Sequence, residues 1–400
     1  MCVKMRHLFM EAAAVTELEH SRPFSSRSGG GRSVRGDFDW RRALLRQTLM
    51  GVGFLVVISG VARAAQLVDG GLETIALPGG PPVVMDYLAV DAVQGQLWAP
   101  AGNSERIDVV DVKTGALRSI EHQPIAKRAE RTVGPSSATV GDGVVYVGNR
   151  ADSSICGFDA RTLEPRGCTK LTASPDGLAW VSTTREVWAT TPKDDSLVFL
   201  AADAAGALTV KGTLKLTYGP EGYAVDAARG LFYTNLEDGD RTLAIDVRTK
   251  KVVSTWKPEC GKEGPRGLAI DTARRQLFVA CTDRLKVLDA SGSGKVLGEL
   301  LTGAGVDNID LVPSSHRAYV ASGKESRLTI AEASAAGALS PVATFTTSPG
   351  CRTVVVVPAS GVAWLPDSKE GRLVVVRPEQ AGPAAVTPAV APAPAPTPKK

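Results

Sequence analysis

The sequence has 400 residues, 44% of them hydrophobic and 22% charged, which is typical of a globular protein with an apolar core. The formal net charge of +4 lies at the N-terminus, because residues 1–64 carry ten Lys or Arg against five Asp or Glu; residues 65–400 are left with a net charge of −1. A near-neutral body argues against a phosphate-binding surface, so we do not expect nucleic-acid binding.

An export signal is predicted at residues 40–64. The stretch "DWRRALLRQ" supplies positive charge, "LMGVGFLVVISGVA" supplies an apolar run, and "ARAA" offers a small-residue cleavage site after Ala64. The run is short for a membrane-spanning helix of about 20 residues, although an uncleaved anchor is the alternative. The pair Arg41-Arg42 leaves ordinary secretion and twin-arginine export both open. We therefore expect a periplasmic, secreted or cell-surface protein without a membrane span in its mature chain; residues 1–39 are either disordered or precede the true start.

Export permits disulfide bonds, and five cysteines follow the signal. Cys156 and Cys168 flank the turn "DARTLEPRG" and could face each other across a hairpin, while Cys260 and Cys281 flank the strand "GLAID" and its return. We predict the disulfides Cys156–Cys168 and Cys260–Cys281, although spacing alone leaves the connectivity open. Cys351 is left over.

The chain contains seven copies of one pattern. An aromatic residue closes the second apolar run of each copy, and successive aromatics are 41 to 48 residues apart. These aromatics are Trp98, Tyr146, Trp188, Tyr233, Phe278, Tyr319 and Trp364. Each copy has four short apolar runs separated by turns, as in "GYAVD", "LFYTN", "TLAIDV" and "KVVSTW". Since no segment has a sustained helical period, we predict an all-β, seven-bladed β-propeller of four-stranded antiparallel blades over residues 66–380.

The last copy has only three predicted strands, and its fourth strand is expected from the beginning of the domain. The stretch "LETIAL" at residues 72–77 precedes the first copy as a lone strand. We predict that it completes the last blade beside Leu373–Arg377, which removes the edges that an open ring would expose. Residues 381–400 are rich in Pro and Ala and are predicted to form a disordered tail, either a spacer or a wall-facing tether.

The segment "GPEGYAVDAARGLFYTNLEDGDRTLAIDVRTKKVVSTW" resembles the YVTN-type repeat of bacterial and archaeal surface propellers, the YncE-like group. "FYTN" nearly spells the signature, and "VYVGN" and "AYVAS" echo it in other copies. The resemblance covers residues 66–380 and implies the fold rather than a function, because members of this group are largely non-catalytic. More distantly, the pattern is similar to quinoprotein amine dehydrogenase and lactonase propellers, which are enzymes.

A ring of polar residues is predicted at one mouth of the central channel. The first strand of each blade lines the channel of a propeller, so the residue just before that strand lies near a mouth. This position holds Asp86, Ser136, Asp176, Glu221, Arg266, Asp307 and Arg352. We predict that these residues bind a ligand; the alternative is a solvated rim whose acids and arginines neutralise one another at modest gain.

A mixed ring of acids and arginines fits a zwitterionic or polar organic ligand better than Ca²⁺. That cation needs several oxygen ligands and would be repelled by Arg266 and Arg352. The loops "NLEDGDR" (Asn235–Arg241), "PKDDS" and "RADSS" open on the same face. Acid-rich turns of this kind are usually solvated, and they lack the spacing of an EF-hand, so no metal site is predicted.

The remaining polar residues favour structural roles. Acids that precede turns on the opposite face are expected to bond their own backbone: Asp91, Asp111, Asp159, Asp226, Asp246, Asp271 and Asp289. His122 and His316 are expected in surface turns, without an acid or cysteine at a catalytic spacing. Cys351 is expected to be a buried, inert thiol; activation by Arg352 is the alternative. No GxSxG, HExxH or CxxCH motif is present, so no catalytic residue and no cofactor are predicted.

The sequence therefore predicts an exported, non-catalytic, monomeric propeller that acts as a binding or scaffold module. Its partner, a small polar ligand or a protein, is expected at the channel mouth. The alternative is a lactonase-like or quinoprotein-dehydrogenase-like enzyme that uses the channel carboxylates. A third hypothesis is a surface-adhesion or wall-associated role in which the Pro-rich tail matters most.

Overall fold

The computed structural model describes residues 66–68, 72–262 and 264–378. The predicted leading segment 1–39, the export signal 40–64 and the tail 381–400 lie outside the described residues. In the described part of the chain, no helix combines the length and apolar character that a membrane crossing needs.

Strands make up nearly all the regular structure. Two of them precede the first blade: β1 (Gln66–Val68) and β2 (Leu72–Ala76). Blade 1 then contains β3 (Ala89–Asp91), β4 (Gln96–Ala101), β5 (Arg106–Asp111) and β6 (Leu117–Ile120). A two-stranded hairpin follows, made of β7 (Ala126–Arg128) and β8 (Arg131–Val133). Blade 2 contains β9 (Pro135–Gly141), β10 (Val144–Asn149), β11 (Ser154–Asp159) and β12 (Pro165–Lys170).

The next three blades repeat this arrangement. Blade 3 contains β13 (Leu178–Val181), β14 (Glu186–Thr191), β15 (Ser196–Ala202) and β16 (Leu208–Lys215). Blade 4 contains β17 (Pro220–Asp226), β18 (Leu231–Leu236), β19 (Arg241–Asp246) and β20 (Lys251–Trp256). Blade 5 contains β21 (Pro265–Asp271), β22 (Gln276–Cys281), β23 (Arg284–Asp289) and β24 (Val296–Leu301).

Two blades complete the ring. Blade 6 contains β25 (Val306–Val312), β26 (Arg317–Ser322), β27 (Arg327–Ala333) and β28 (Leu339–Thr346). Blade 7 contains β29 (Val355–Val357), β30 (Val362–Asp367) and β31 (Arg372–Val376), with β2 antiparallel to β31 and β1 beyond β2. Three short 3₁₀ turns lie at strand ends: Pro192–Asp194, Glu237–Gly239 and Pro313–Ser315.

The strands of each blade pair antiparallel with their sequence neighbours. The first strands of successive blades contact one another around the whole ring, from β3 through β9, β13, β17, β21 and β25 to β29 and back to β3. They therefore surround a central channel. The predicted all-β, seven-bladed architecture is confirmed. The hairpin β7–β8 was not predicted, since the sequence between blades 1 and 2 reads as a polar connection.

The hydrophobic core lies between blades. Trp188 of blade 3 packs on Phe232 of blade 4 with ring centroids 4.7 Å apart, and both side chains are fully buried. The same cluster contains Phe199, also of blade 3, and Leu243, also of blade 4. Each blade thus buries one face against the next, which explains why the aromatic recurs in every copy of the repeat.

The acids at the turns form the local hydrogen bonds that the sequence predicts. Asp111 Oδ1 accepts from the backbone N–H groups of Lys113 and Thr114 at 3.0 and 2.8 Å. Asp246 Oδ1 does the same with Arg248 and Thr249, at 3.1 and 2.7 Å. The structural interpretation of these acids is confirmed; these bonds hold the turns and leave the acids no evident part in a ligand site.

Two disulfides tie neighbouring segments together. Cys156 of β11 lies directly opposite Cys168 of β12, and their sulfurs are bonded. Cys260, in the connection after blade 4, is bonded to Cys281 at the end of β22. Cys351 is a free thiol within the core, and burial raises its pKa to about 12. The expectation that Cys351 is a buried thiol is confirmed.

Candidate functional site

Six of the seven predicted ring residues line one cavity at the channel mouth. This mouth cavity has a volume of about 780 Å³, within the range of small-molecule sites. The six come from six different blades: Asp86, Asp176, Glu221, Arg266, Asp307 and Arg352. Each lies at or just before the first strand of its blade. The tight turn in front of that strand brings the six side chains together.

Ser136 is the exception among the predicted residues. Its side chain is 5% exposed, does not line the mouth cavity, and its hydroxyl has no hydrogen-bond partner among the described residues. Its place in the ring is taken by Arg150, which follows β10 in the same blade. Ser136 lines a much smaller cavity of about 30 Å³ together with Asp86 and Arg150, so it lies next to the mouth cavity and not in its wall.

Arg150 joins two of the predicted acids. Its Nη2 donates to Asp86 Oδ2 at 2.7 Å and also to Asp176 Oδ1. Its two neighbours belong to blades 1 and 3, so one guanidinium of blade 2 bridges the blades on either side. The two carboxylates raise the pKa of Arg150 further, which keeps it charged. Sequence reasoning missed this residue, because it counted only the position before each first strand.

The position after each second strand forms an additional ring at the same mouth. Arg150 holds this position in blade 2, and Glu237 holds it in blade 4. Glu237 forms an ion pair with Arg266, whose Nη2 lies 2.6 Å from Glu237 Oε1. In the sequence, both charged residues directly follow the second apolar run of their copy of the repeat, and this shared position is the signal that could have identified them.

The other arginines of the ring are also paired with acids. Arg352 Nε lies 3.2 Å from Asp307 Oδ2, across the boundary between blades 7 and 6. Burial raises the pKa of Asp307, and Arg352 opposes that rise. Burial likewise raises the pKa of Asp176, with Arg150 as the opposing charge. Acids and bases therefore alternate around much of the mouth as ion pairs.

Glu221 differs from the other acids of the ring. Within the described part of the chain, its carboxylate has neither a hydrogen bond nor an ion pair. Burial raises its pKa to about 8, and the charges of Asp176, Glu237 and Asp307 add to this effect, while Arg266 opposes it. The mouth cavity thus holds one carboxyl group that titrates near neutral pH and lacks a partner.

Two tyrosines lie beneath the ring. Tyr87 lines the mouth cavity, and its ring stacks on Tyr223 with centroids 5.9 Å apart. Tyr223 lines a lower cavity of about 340 Å³ inside the channel, bordered by Leu88, Leu178 and Asp310. The stacked pair therefore lies between the two cavities and forms the floor of the mouth cavity.

Glycine at the position after the ring residue allows close contacts in two blades. A Cβ on Gly177 would lie 2.4 Å from the ring of Tyr223, and a Cβ on Gly222 would lie 2.2 Å from the carbonyl oxygen of Arg266. The same position in blade 1 is Tyr87, which stacks on Tyr223.

The surroundings of the mouth cavity carry charges of both signs. Arg128, Arg131 and Lys193 line it, and so do Asp195 and Asp238. A second, adjoining cavity of about 430 Å³ shares Arg266, Asp307 and Arg352 with it and is bordered by glycines of blades 6 and 7. The carboxylates thus lie inside a surround that also carries positive charge, as a zwitterionic or polar ligand would require.

The remaining sequence candidates lie outside this arrangement. Asn235 of the "NLEDGDR" loop is buried and donates to the carbonyl oxygen of Arg266 at 2.6 Å, so it fixes the loop. His316 Nδ1 lies 2.5 Å from Asp271 Oδ2, an acidic partner that the sequence spacing did not reveal. Asp271 also accepts from Arg274 N–H, which places the pair at a turn. Among the residues described, no three His, Cys, Asp or Glu are grouped to hold a metal ion.

Comparison with known proteins identifies the fold alone. No protein-family model and no curated protein matches the sequence. Among solved structures, a chain of the mitotic checkpoint complex is similar over 76% of this chain and 93% of its own, with 12% identity and a TM-score of 0.63. Hydrazine synthase from Kuenenia stuttgartiensis is similar over 75% and 96%, with 13% identity and a TM-score of 0.62. A candidate 6-phosphogluconolactonase from Bacteroides uniformis is similar over 66% and 85%, with 12% identity and a TM-score of 0.56.

Proposed function

We propose that this β-propeller is an exported, non-catalytic binding module whose small polar ligand or protein partner engages the mouth cavity. One observation carries the proposal: six positions, predicted from the repeat and contributed by six blades, meet around one cavity of about 780 Å³. Propellers with unlike sequences share this frame, and function on such folds resides in grafted sites. Here, the residues that vary between blades are concentrated at the mouth.

Export and family membership are parts of the same proposal. The predicted signal at residues 40–64 supports export, and so do the two disulfides, which persist in oxidising compartments. The "FYTN" and "VYVGN" segments support the YVTN-type, YncE-like assignment. Under this proposal the mature protein acts in the periplasm, at the cell surface or in the medium.

A thermal-shift screen of small polar molecules and metal ions tests the binding role. Glu221→Ala and Arg266→Ala should leave the protein folded and remove the ligand-induced shift. The matched controls are Glu332→Ala and Arg317→Ala, an exposed ion pair at the other end of blade 6. These controls should retain the shift. A ligand whose binding ignores both mouth variants would make the ring a solvated rim.

A lactonase-like hydrolase is the second candidate, and Glu221 is the observation that favours it. A carboxyl group whose pKa is raised to about 8, within a cavity, is suited to general acid–base chemistry near neutral pH. Hydrolysis of a panel of sugar lactones, lost in Glu221→Gln and retained in Glu332→Gln, would replace the binding role with this one. Stoichiometric Ca²⁺ or Zn²⁺ in the purified protein would point the same way.

A further inference from the structure

The hydroxyl of Tyr87 has no hydrogen-bond partner among the described residues, and Tyr87 lines the mouth cavity. Tyr87 is only 7% exposed, yet it lines the mouth cavity, and no hydrogen bond to its hydroxyl is formed. Its pKa is raised well above the ordinary value, first by burial and then by the charges of Asp176 and Asp307. Tyr87 thus shares a cavity with the carboxylates of the ring, where a bound molecule would reach it.

Glu221 is the carboxylate that the ring leaves without a base. Asp86 and Asp176 share Arg150, Asp307 faces Arg352, and Glu237 faces Arg266. Nothing in the described ranges donates to Glu221. Glu221 and Tyr87 both line the mouth cavity, so one bound molecule in that cavity can meet both groups.

These two groups define the chemistry of the missing partner. Both can accept hydrogen bonds, and the carboxylate favours a positive charge. A primary ammonium group has three donors and one charge, so it can satisfy both at once. A quaternary ammonium group has no donor and would leave the hydroxyl of Tyr87 unpaired. A divalent cation would face the three arginines of the ring.

We infer that the mouth cavity binds a small organic molecule through a primary ammonium group, which donates to the Glu221 carboxylate and to the Tyr87 hydroxyl. This inference rests on the proposed binding function and narrows it to one class of ligand. The ion pairs of the ring neutralise the other acids, and the charged residues of both signs at the rim contact the rest of the ligand. The step is binding alone; no bond of the ligand is made or broken.

Binding of the ammonium group is coupled to release of a proton. The groups that face Glu221 are Asp176, Glu237, Asp307 and Arg266, and burial with the three acids raises its pKa to about 8. At pH 7 the empty site therefore holds the proton of the Glu221 carboxyl. The ligand cation favours the carboxylate, so this proton passes to the solvent on binding. Affinity should rise by up to about tenfold per pH unit between pH 6 and 7.5.

Calorimetric titration of the full chain with 1-aminobutane tests the inference. Butan-1-ol and butyltrimethylammonium are matched probes that lack the charge and the N–H donors, respectively. We expect binding of 1-aminobutane alone, tightening by up to about tenfold from pH 6 to pH 7. The measured heat should change with the ionisation enthalpy of the buffer, because a proton is released.

Two variants locate the contact. Glu221→Gln should weaken binding at least about tenfold and abolish the pH dependence, because it removes the charge and the titrating group. Tyr87→Phe removes only the hydroxyl and should weaken binding about fivefold, the equivalent of one hydrogen bond, with the pH dependence retained. Glu332→Gln is the matched control and should bind as the parent does. Circular dichroism shows whether Glu221→Gln is folded. If it is not, the inference is tested by Tyr87→Phe alone, and unchanged binding in that variant would overturn it.

The outcomes separate this inference from the proposed function. If 1-aminobutane and a panel of diamines, amino sugars and amino acids fail to bind, while a neutral or anionic compound binds and is lost in Glu221→Ala, the ammonium inference is wrong and the binding function stands. Equal binding of butyltrimethylammonium would also overturn the inference. If no compound of any class responds to the mouth variants, the proposed function itself fails.

Discussion

The carboxylate of Asp310 accepts a hydrogen bond of 2.7 Å from the backbone N–H of Val356, across the boundary between blades 6 and 7. Thr139 accepts from the backbone N–H of Trp180 at 3.0 Å across the boundary between blades 2 and 3. By strand pairing, Thr139 and Asp310 hold equivalent positions in their first strands. A polar side chain at this position therefore links adjacent blades inside the channel, by an ionisable group in one case and a neutral one in the other.

The first prediction concerns pH and Asp310. Burial raises its pKa to about 6, against an ordinary value of 3.8, so the folded protein holds this proton more tightly than the unfolded chain. Its contribution to stability is full below about pH 4 and is lost as the pH rises through about 6. Asp310→Thr places at this position the residue that blade 2 has at Thr139. Between pH 5 and 7.5 the free energy of unfolding of the parent should fall by about 1–3 kcal/mol more than that of Asp310→Thr. Urea denaturation of both proteins across that pH range measures the difference.

The control for Asp310 is Thr139→Val. It removes one hydrogen bond and should cost about 1 kcal/mol at every pH, since no group titrates there. An Asp310→Thr variant whose stability relative to the parent is unchanged from pH 5 to 7.5 would contradict the prediction.

The second prediction concerns the bridge made by Arg150. Arg150→Met leaves Asp86 and Asp176 close together without a cation, so the free energy of unfolding should fall by about 3 kcal/mol at pH 7.5. The loss should shrink as the pH falls towards 4, because burial raises the pKa of Asp176, which then takes up a proton. The triple variant that adds Asp86→Asn and Asp176→Asn should regain most of the loss. Chemical denaturation at pH 7.5 and pH 4 measures both effects, and a loss that is independent of pH would refute the role of charge.

The third prediction concerns the packing between blades 3 and 4. Phe232 is fully buried against Trp188, and Phe232→Ala should lower the free energy of unfolding by about 3–5 kcal/mol through lost burial and a cavity. Phe232→Leu should lower the free energy of unfolding by less than half as much as Phe232→Ala does. Val253→Ala, at an exposed position of β20, should change it by less than about 0.5 kcal/mol. Equal effects of the buried and exposed substitutions would show that the blade interface does not carry the stability.

The fourth prediction compares two strand glycines. A Cβ on Gly222 would lie 2.2 Å from the carbonyl oxygen of Arg266, and backbone cannot move away cheaply. Gly222→Ala should therefore cost more than about 2 kcal/mol and disturb the mouth cavity. Gly212, in β16, has nothing within 4 Å of its Cβ position, so Gly212→Ala should be neutral or slightly stabilising. Thermal denaturation of the two variants provides the test, and similar midpoints would argue against close contact at Gly222.

Much of the architecture could be predicted from the sequence because the repeat is local. Runs such as "LFYTN" and the acids of turns such as Asp246 specify strand, turn and burial within about 45 residues, and seven copies reinforce one another. The hairpin β7–β8 could not be predicted in this way. It is an insertion that occurs once, and its sequence lacks the alternation of apolar and polar residues that indicates a strand.

The candidate site could be predicted only in part. Counting back from the aromatics correctly grouped Glu221 and Arg266 with their equivalents, because the same offset from a strand gives the same height in the channel. It could not show that Arg150, and not Ser136, lines the mouth cavity, or that Tyr87 lines it too. Those facts depend on side-chain length and on neighbours more than 25 residues away in sequence, such as the pair of Arg150 and Asp176.

The sequence by itself determined the seven blades, their strands and the height at which the variable residues lie, because turns and apolar alternation act over a few residues. Only the tertiary structure decided which acid is paired and which is left alone. The partner of each charge at the mouth comes from another blade, and closure of the ring sets the distances between blades. Among the described residues, Glu221 has no ion pair because each arginine of the ring is paired with another acid: Arg150 with Asp176, Arg266 with Glu237 and Arg352 with Asp307.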